Sequence, residues 1–358
     1  MNKIPSDICN LADYERHAKA LLAEPTWAYL SGFSMDGITH RRNRAKLDEV
    51  LLQQRILSAD MGQGDCRLSL FGRELSMPLL IAPLAYQKLA HPMGELGAVQ
   101  AAAAQGVGFC LSTLASSSIE QVAEVAPQAN RWFQLYCQPN RDDTLKLIRR
   151  AEAAGYQALV VTADAPINGV RNAEQRAGFE LPDGVRAVNL DGLPQAAAGD
   201  SVFACWMSQA PDWQTLAWIR KQTRLPLLLK GVMHPADAKR ALEVGVDGVI
   251  VSNHGGRVLD SQPATIEVLP AIRAAVGPTL PVLLDSGIRR GSDIVKAIAL
   301  GANAVLLGRP VFYAQAVAGP LGVAHSLRIL RDELEATMAL CGCATLADIN
   351  QDCLYTPF

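Results

Sequence analysis

Residues 248–257 read GVIVSNHGGR, an unbroken apolar run that stops at a histidine, two glycines and an arginine. A strand of a parallel sheet is covered on both faces, so its sequence is apolar throughout instead of alternating. Val249, Ile250 and Val251 fit that pattern. In barrels and doubly wound α/β folds the loops after such strands converge on one mouth and carry the chemistry. His254 changes protonation near neutral pH, and Arg257 can grip a carboxylate through two parallel hydrogen bonds. Gly255 and Gly256 admit positive φ or close backbone approach. Taken alone, the same stretch also fits a polar turn with a satisfied histidine, so its surroundings have to decide.

The surroundings repeat the pattern. Short apolar runs ending in polar residues or glycine occur at MPLLIAP (77–83), VGFCLS (107–112), RWFQLY (131–136), ALVVTAD (158–164), PLLLKG (226–231), GVIVSN (248–253), PVLLDS (281–286) and AVLLGRP (304–310). Stretches with helical spacing lie between them, among them 94–105, 118–125, 143–154, 235–244 and 292–300. Strand and helix alternating in this way need crossovers that place the helices outside a parallel sheet. Eight such units predict a closed (β/α)8 TIM barrel. Ahead of the barrel, residues 1–60 read as a helical extension, with apolar spacing over 11–23 and a new start at Pro25. One connection is much longer than the rest: 165–213, after the fourth strand, contains the Ala-rich LPQAAAGD (193–200) and reads as a lid over the mouth. The tail from 327 opens with helical spacing, and nothing marks a second domain, so residues 1–358 are expected to form one unit.

Composition narrows the function. With 49% hydrophobic and 19% charged residues, the 358-residue chain can fill a large core. A formal net charge of -2, with Lys and Arg scattered, gives no electrostatic footprint for nucleic acid. The eight cysteines show no metal-ligand spacing and suit free thiols in a reducing compartment. The first twenty residues have no apolar signal core, and the uncharged stretch after Pro310 is interrupted by Gly319, Pro320, Gly322 and His325. A cytoplasmic protein without a strong membrane anchor is expected.

If the barrel closes, the polar residues at its strand ends share one mouth. These are Ser112, Gln134, Tyr136, Thr162, Asp164, Lys230, Ser252, His254, Arg257, Asp285, Arg289, Gly308 and Arg309. After the seventh and eighth strands, DSGIRRGSD and LLGRP bring Gly287, Arg289, Gly308 and Arg309 together, where barrels often bind phosphate. His254, Asp164, Tyr136, Arg257 and Arg171 form a second set: a base, a carboxylate to orient it, a phenol and two cationic clamps. That set suits an anionic substrate that loses protons. Tyr29 stands beside a glycine-containing break in the extension, either reaching the pocket or anchoring the helices.

These residues resemble the FMN-dependent 2-hydroxy acid oxidases and dehydrogenases, a family that includes glycolate oxidase, lactate oxidase, mandelate dehydrogenase and the flavin domain of flavocytochrome b2. The resemblance rests on SNHGGR (252–257), LLKGV (228–232), DSGIRRGSDIVKAIALGA (285–302), GRPV (308–311), IAPLAYQKLAHPMGE (81–95) and FQLY (133–136), and covers nearly the whole chain, including the stretch from Tyr29 to Asn43 and Arg44. It implies an FMN site with the phosphate at Arg309, Gly308 and the Arg289 region, beside the Gly287 amide, and Asp285 near the ribityl chain. Ala85, Ser112, Gln134, Thr162 and Ser252 would lie along the flavin, with Lys230 at the pyrimidine side of the ring. It further implies His254 as base, Asp164 as partner of the imidazolium, Arg257 and Tyr29 on the substrate carboxylate, Arg171 assisting, and Tyr136 on the hydroxyl. The activity implied is oxidation of an L-2-hydroxy acid to the 2-oxo acid, with O2 or a quinone as electron acceptor. Family analogy adds a homotetramer.

This sequence departs from the family pattern at Leu114, where several members carry an aromatic residue near the substrate, and at Val258, beside the arginine. Two other functions remain to be weighed. A phosphate-binding barrel isomerase, or an FMN enzyme with another substrate, explains the glycines and arginines after the last strands but gives no reason for Tyr29, Arg171 and Arg257 together. A barrel without catalysis predicts loss of the strand-end set, which is intact here.

Overall fold

The computed structural model describes residues 3–58, 61–193, 201–205 and 207–355. Three helices come first: α1 (Leu11–Leu21), α2 (Glu24–Ser31) and α3 (Ile38–Glu49). Two three-residue strands, β1 (Leu68–Leu70) and β2 (Arg73–Leu75), pair as an antiparallel hairpin. The alternating region follows: β3 (Leu79–Ile81), α4 (Gly94–Ala104), β4 (Gly108–Ser112), α5 (Ile119–Val125), β5 (Arg131–Leu135), α6 (Arg141–Ala153) and β6 (Ala158–Thr162). After the long connection come α9 (Trp213–Gln222), β7 (Leu227–Val232), α10 (Pro235–Val244), β8 (Gly248–Val251), α11 (Thr265–Val276), β9 (Val282–Leu284), α12 (Gly291–Ala299) and β10 (Ala304–Leu307). The connection itself carries α7 (Asn172–Arg176) and α8 (Val202–Cys205). The last helix, α13 (Arg309–Leu340), breaks at Ala318 and Gly319, just before Pro320.

β3 to β10 are parallel and close on themselves, β10 returning to β3, so the predicted (β/α)8 barrel with an amino-terminal helical extension is what the chain forms. Strand alternation separates two cores. Leu80, Cys110, Trp132, Val160, Leu228, Ile250, Leu283 and Leu306 point inward and pack together with Leu70 and Leu75 of the hairpin, whose Phe71 ring lies 5.7 Å from that of Trp132. The hairpin therefore stops the barrel at its amino-terminal end. Neighbours such as Leu79, Phe109, Phe133, Leu159, Leu229, Val249 and Leu284 point outward and are buried under the helices.

The same two-residue period positions the site. Two residues beyond an inward core residue, the side chain again points inward, now at the mouth. Cys110 is followed by Ser112, Trp132 by Gln134, Val160 by Thr162, Leu228 by Lys230, Ile250 by Ser252 and Leu283 by Asp285. Ladder pairing aligns them: Ser112 opposite Gln134, and Thr162 opposite Lys230.

Two expectations are refined. The extension holds three helices, not two, and its extended end pairs with the carboxyl-terminal segment through Leu52 and Leu354. The 165–213 connection carries short helices where the sequence reads as loop, although residues 194–200 of its Ala-rich stretch lie outside the described residues. Among the described residues no helix is long and apolar enough to cross a membrane.

Candidate active site

The turn after β8 is built from left-handed backbone. His254, Gly255 and Gly256 have φ of 57°, 66° and 74° in succession, a run that glycine tolerates and β-carbons resist. Space demands the glycines too. A Cβ on Gly255 would lie 2.7 Å from a guanidinium nitrogen of Arg309, and one on Gly256 would lie 2.7 Å from the backbone nitrogen of His40 in α3. His254 accepts the strained conformation, and strain of this kind concentrates at functional sites. Its neighbour Asn253 bonds the side chain of Asn43, each amide donating to the other's oxygen at 2.9 and 2.8 Å, which ties α3 to the turn.

His254 Nδ1 lies 3.2 and 3.3 Å from the two carboxylate oxygens of Asp164. Since an ionised carboxylate only accepts, the proton belongs on Nδ1, which leaves Nε2 as the free base. Burial lowers the imidazole pKa from its ordinary 6.5; Asp164 opposes that and Lys230 adds to it. Burial alone would raise the Asp164 pKa, but His254 and Lys230 outweigh it and the net shift is downward, so the carboxylate stays ionised. Gly231 makes room for this partner: at φ 104°, a Cβ there would lie 2.4 Å from that of Asp164.

Lys230 Nζ donates to Ser252 Oγ at 2.8 Å and lies 3.3 Å from Asp285. Burial pulls its pKa down, yet the Asp285 and Asp164 carboxylates reverse the shift, so the ammonium keeps its charge deep in the mouth. The arginines come from other elements. Arg257 Nη1 donates to the carbonyls of Tyr29 and Gly32 at 2.8 and 2.9 Å, and Arg309 Nη2 donates to Gly32 at 2.6 Å. Both guanidiniums therefore cap the carboxyl end of α2, where the helix dipole favours cations. Tyr29 stacks on Phe179 at 4.4 Å and lies under Arg257, 5.3 Å from ring centre to guanidinium carbon. The phenols of Tyr29 and Tyr136 are both pushed up to about 12, chiefly by burial, and so remain neutral donors.

Tyr29, Ala85, Ser112, Gln134, Tyr136, Thr162, Arg171, Lys230, His254, Arg257, Asp285, Gly287, Arg289, Gly308 and Arg309 all line one cavity of about 1140 Å³. Ser252 and Asp164 do not. They stand one step behind, lining a smaller cavity of about 250 Å³ and bonding Lys230 and His254. Ser252 Oγ thus supports Lys230 and the His254 amide, which donates to it at 3.1 Å.

FMN fits the residues present. Gln134 Nε2, Thr162 Oγ1 and Arg309 Nε are buried without a hydrogen-bond partner, and all three residues line the cavity. Buried polar atoms rarely stay unpaired, and a flavin ring edge and a phosphate supply acceptors and donors for such a set. The Gln134 amide is already oriented: its oxygen accepts from Ser112 Oγ and Thr113 N at 3.2 and 3.1 Å, which turns the nitrogen outward. Burial, and after it the neighbouring Arg257 charge, hold the Arg309 pKa down to about 9, so an anion such as a phosphate beside it would be stabilising.

Sequence reasoning missed three contributors. Glu174, in the five-residue α7, touches both Arg171 and Arg257. His40 stacks on Phe33 at 5.1 Å, and burial with Arg309 and Arg289 drives its pKa down to about 3. Buried Glu95 accepts from Gln87 N, Ser116 N and the hydroxyls of Ser116 and Ser117, which fixes the loop that carries Ala85. Only Glu95, a carboxylate inside an otherwise small and apolar helix, gave a sequence signal.

An L-lactate oxidase of Alicycliphilus denitrificans is 47% identical over 99% of this chain and 98% of its own length. Glycolate oxidase 1 of Oryza sativa is 41% identical over 98% and 96%. A crystal structure of mandelate oxidase with (S)-2-phenylpropionate superposes with a TM-score of 0.89 at 40% identity, covering 98% of this chain and 99% of that one. The family model described as FMN-dependent dehydrogenase matches residues 18–356. The chain is a member of the FMN-dependent dehydrogenase family, and FMN is its cofactor.

Proposed function

We propose that this enzyme oxidises an L-2-hydroxy acid to the 2-oxo acid and passes the electrons to O2, giving hydrogen peroxide. The observation that carries the reading is the convergence of the His254–Asp164 pair, the Arg257 and Arg171 guanidiniums and the Lys230 ammonium on one chamber. Relatives named as oxidases support O2 over a quinone as acceptor. FMN, when bound, takes up the two electrons of the oxidation and hands them to the acceptor.

The protein's own groups do the rest. Arg257, with Arg171 and the Tyr29 phenol, holds the substrate carboxylate and fixes which face of the 2-carbon meets His254. Nε2 of His254 takes the substrate proton, and Asp164 stabilises the imidazolium so formed. The Tyr136 hydroxyl orients the substrate oxygen. Lys230, charged in a buried setting, stabilises negative charge that develops beside it. Leu114, Tyr86 and Leu181 line the same chamber and suit an apolar substituent. L-Lactate, the substrate named for relatives 47% identical, is the first acid to examine.

The whole chain works in this reading as one flavin-binding unit, with residues 165–193 of the long connection covering part of the mouth. It acts in the cytoplasm as a homotetramer, which light scattering on the purified protein checks. The purified enzyme should be yellow, bleach without air on adding L-lactate, glycolate or mandelate, and form peroxide when air returns. A colourless protein that takes up no FMN, or a yellow one that no L-2-hydroxy acid bleaches, would refute the proposal.

A further inference from the structure

We infer that Glu174 is a positioning residue and the resident counter-charge of the carboxylate clamp, shared by Arg171 and Arg257 and set against the incoming substrate carboxylate. The inference rests on reading those two arginines as that clamp.

Glu174 Oε1 lies 3.4 Å from Arg257 Nη2, and both of its oxygens lie 3.4 Å from Arg171 Nη1. All three side chains are largely enclosed, with 14% of Glu174 and 16% of each arginine exposed. Arg257 has little else to offer a ligand. Its Nη1 is committed to the carbonyls of Tyr29 and Gly32, so Nε and Nη2 are left for a carboxylate, and Glu174 already faces Nη2. Arg171 is drawn in as well, its Nε facing the Arg257 carbonyl at 3.4 Å. Room for this carboxylate is reserved: a Cβ on Gly32 would lie 2.9 Å from Glu174 Oε1.

The charge count explains why a carboxylate belongs here. Burial and the neighbouring Arg171 charge lower the Arg257 pKa, the mark of two cations held close together. Glu174 offsets that repulsion in the empty clamp and keeps both guanidiniums in register. When a substrate carboxylate arrives at the same two guanidiniums, two anions then share one pair of cations. Across about 5 Å in a protein interior such repulsion is worth at least a factor of ten in affinity. Glu174 therefore trades tight binding for order in the clamp and for release of the equally anionic product.

The test separates charge from shape. Glu174→Gln keeps the shape and an accepting oxygen but removes the charge, whereas Glu174→Ala removes both. Oxalate, a small dicarboxylate with no hydrogen to lose, serves as probe, its binding to the oxidised holoenzyme read from the flavin absorbance and by calorimetry. The Gln variant should bind oxalate about tenfold more tightly than wild type, with KM and kcat for L-lactate both lowered as product leaves more slowly. The Ala variant should bind more weakly, and Glu174→Asp should return toward wild type. A Gln variant that binds oxalate no more tightly, or more weakly, overturns the inference while leaving the functional reading intact. Wild-type enzyme that neither bleaches with an L-2-hydroxy acid nor binds oxalate refutes both.

Discussion

At the scale of single residues, the electrostatics of the mouth make two measurable commitments. His254 works as a base only when neutral. Burial and Lys230 lower its pKa below 6.5 against the pull of Asp164, so the neutral imidazole persists into mildly acidic solution. The acid limb of the anaerobic bleaching rate should therefore lie below pH 6.5, with a plateau above it; a limb centred above 6.5 would contradict this. Lys230 is the second commitment. Lys230→Met keeps the length but removes the buried charge beside Asp285, so the flavin potential should become more negative and bleaching slow by about 10²–10³; an unchanged potential would remove the assigned role. Most of these residues were legible because each follows an apolar run by a fixed step. Glu174 and His40 were not, since neither follows a strand: Glu174 reaches Arg257, and His40 the Arg309 and Arg289 charges, only after separate segments fold together.

At the scale of elements, strands were easier to read than what surrounds them. A parallel strand buried on both faces leaves a continuous apolar run, and each of the eight runs holds a barrel strand. The β1–β2 hairpin left no such trace, because its strands are three residues long and half polar. α7 was hidden for a related reason: five residues are too few to show helical periodicity. α3 illustrates long-range dependence. Its N-cap is Gly37, which has no side chain to offer, and the capping oxygens come from Asp260, 2.8 Å from Thr39 N and 3.1 and 3.2 Å from Asp36 N and Ile38 N. Asp260→Ala should cost about 2 kcal/mol of unfolding free energy, measurable by urea denaturation; a loss under ~0.5 kcal/mol would show that water replaces the cap. Burial tends to raise the Asp260 pKa, but these backbone donors bring it below the usual 3.8. The sign follows: the stabilisation is complete above the usual carboxyl range and fades as pH falls through the lowered value.

At the scale of the whole molecule, closure of the barrel does the chemical work of assembly. Gln134, Thr162, Lys230, His254 and Arg309 are scattered over nearly half the chain, yet they line one chamber because each ends or follows its own strand. The amino-terminal helices complete that chamber from outside the barrel, with the carboxyl end of α2 holding Arg257 and Arg309. The fold was therefore readable from strand runs alone, whereas the role of the extension depended on where its helix ends point. The assembled chamber is tested most directly by anaerobic stopped-flow bleaching of the FMN-loaded protein with L-lactate, comparing wild type with His254→Asn. Asparagine tolerates the left-handed backbone at this position better than alanine does, so the variant should fold and stay yellow. With the base removed, bleaching should slow by about 10²–10⁴. Bleaching of the yellow variant at close to the wild-type rate would contradict the account.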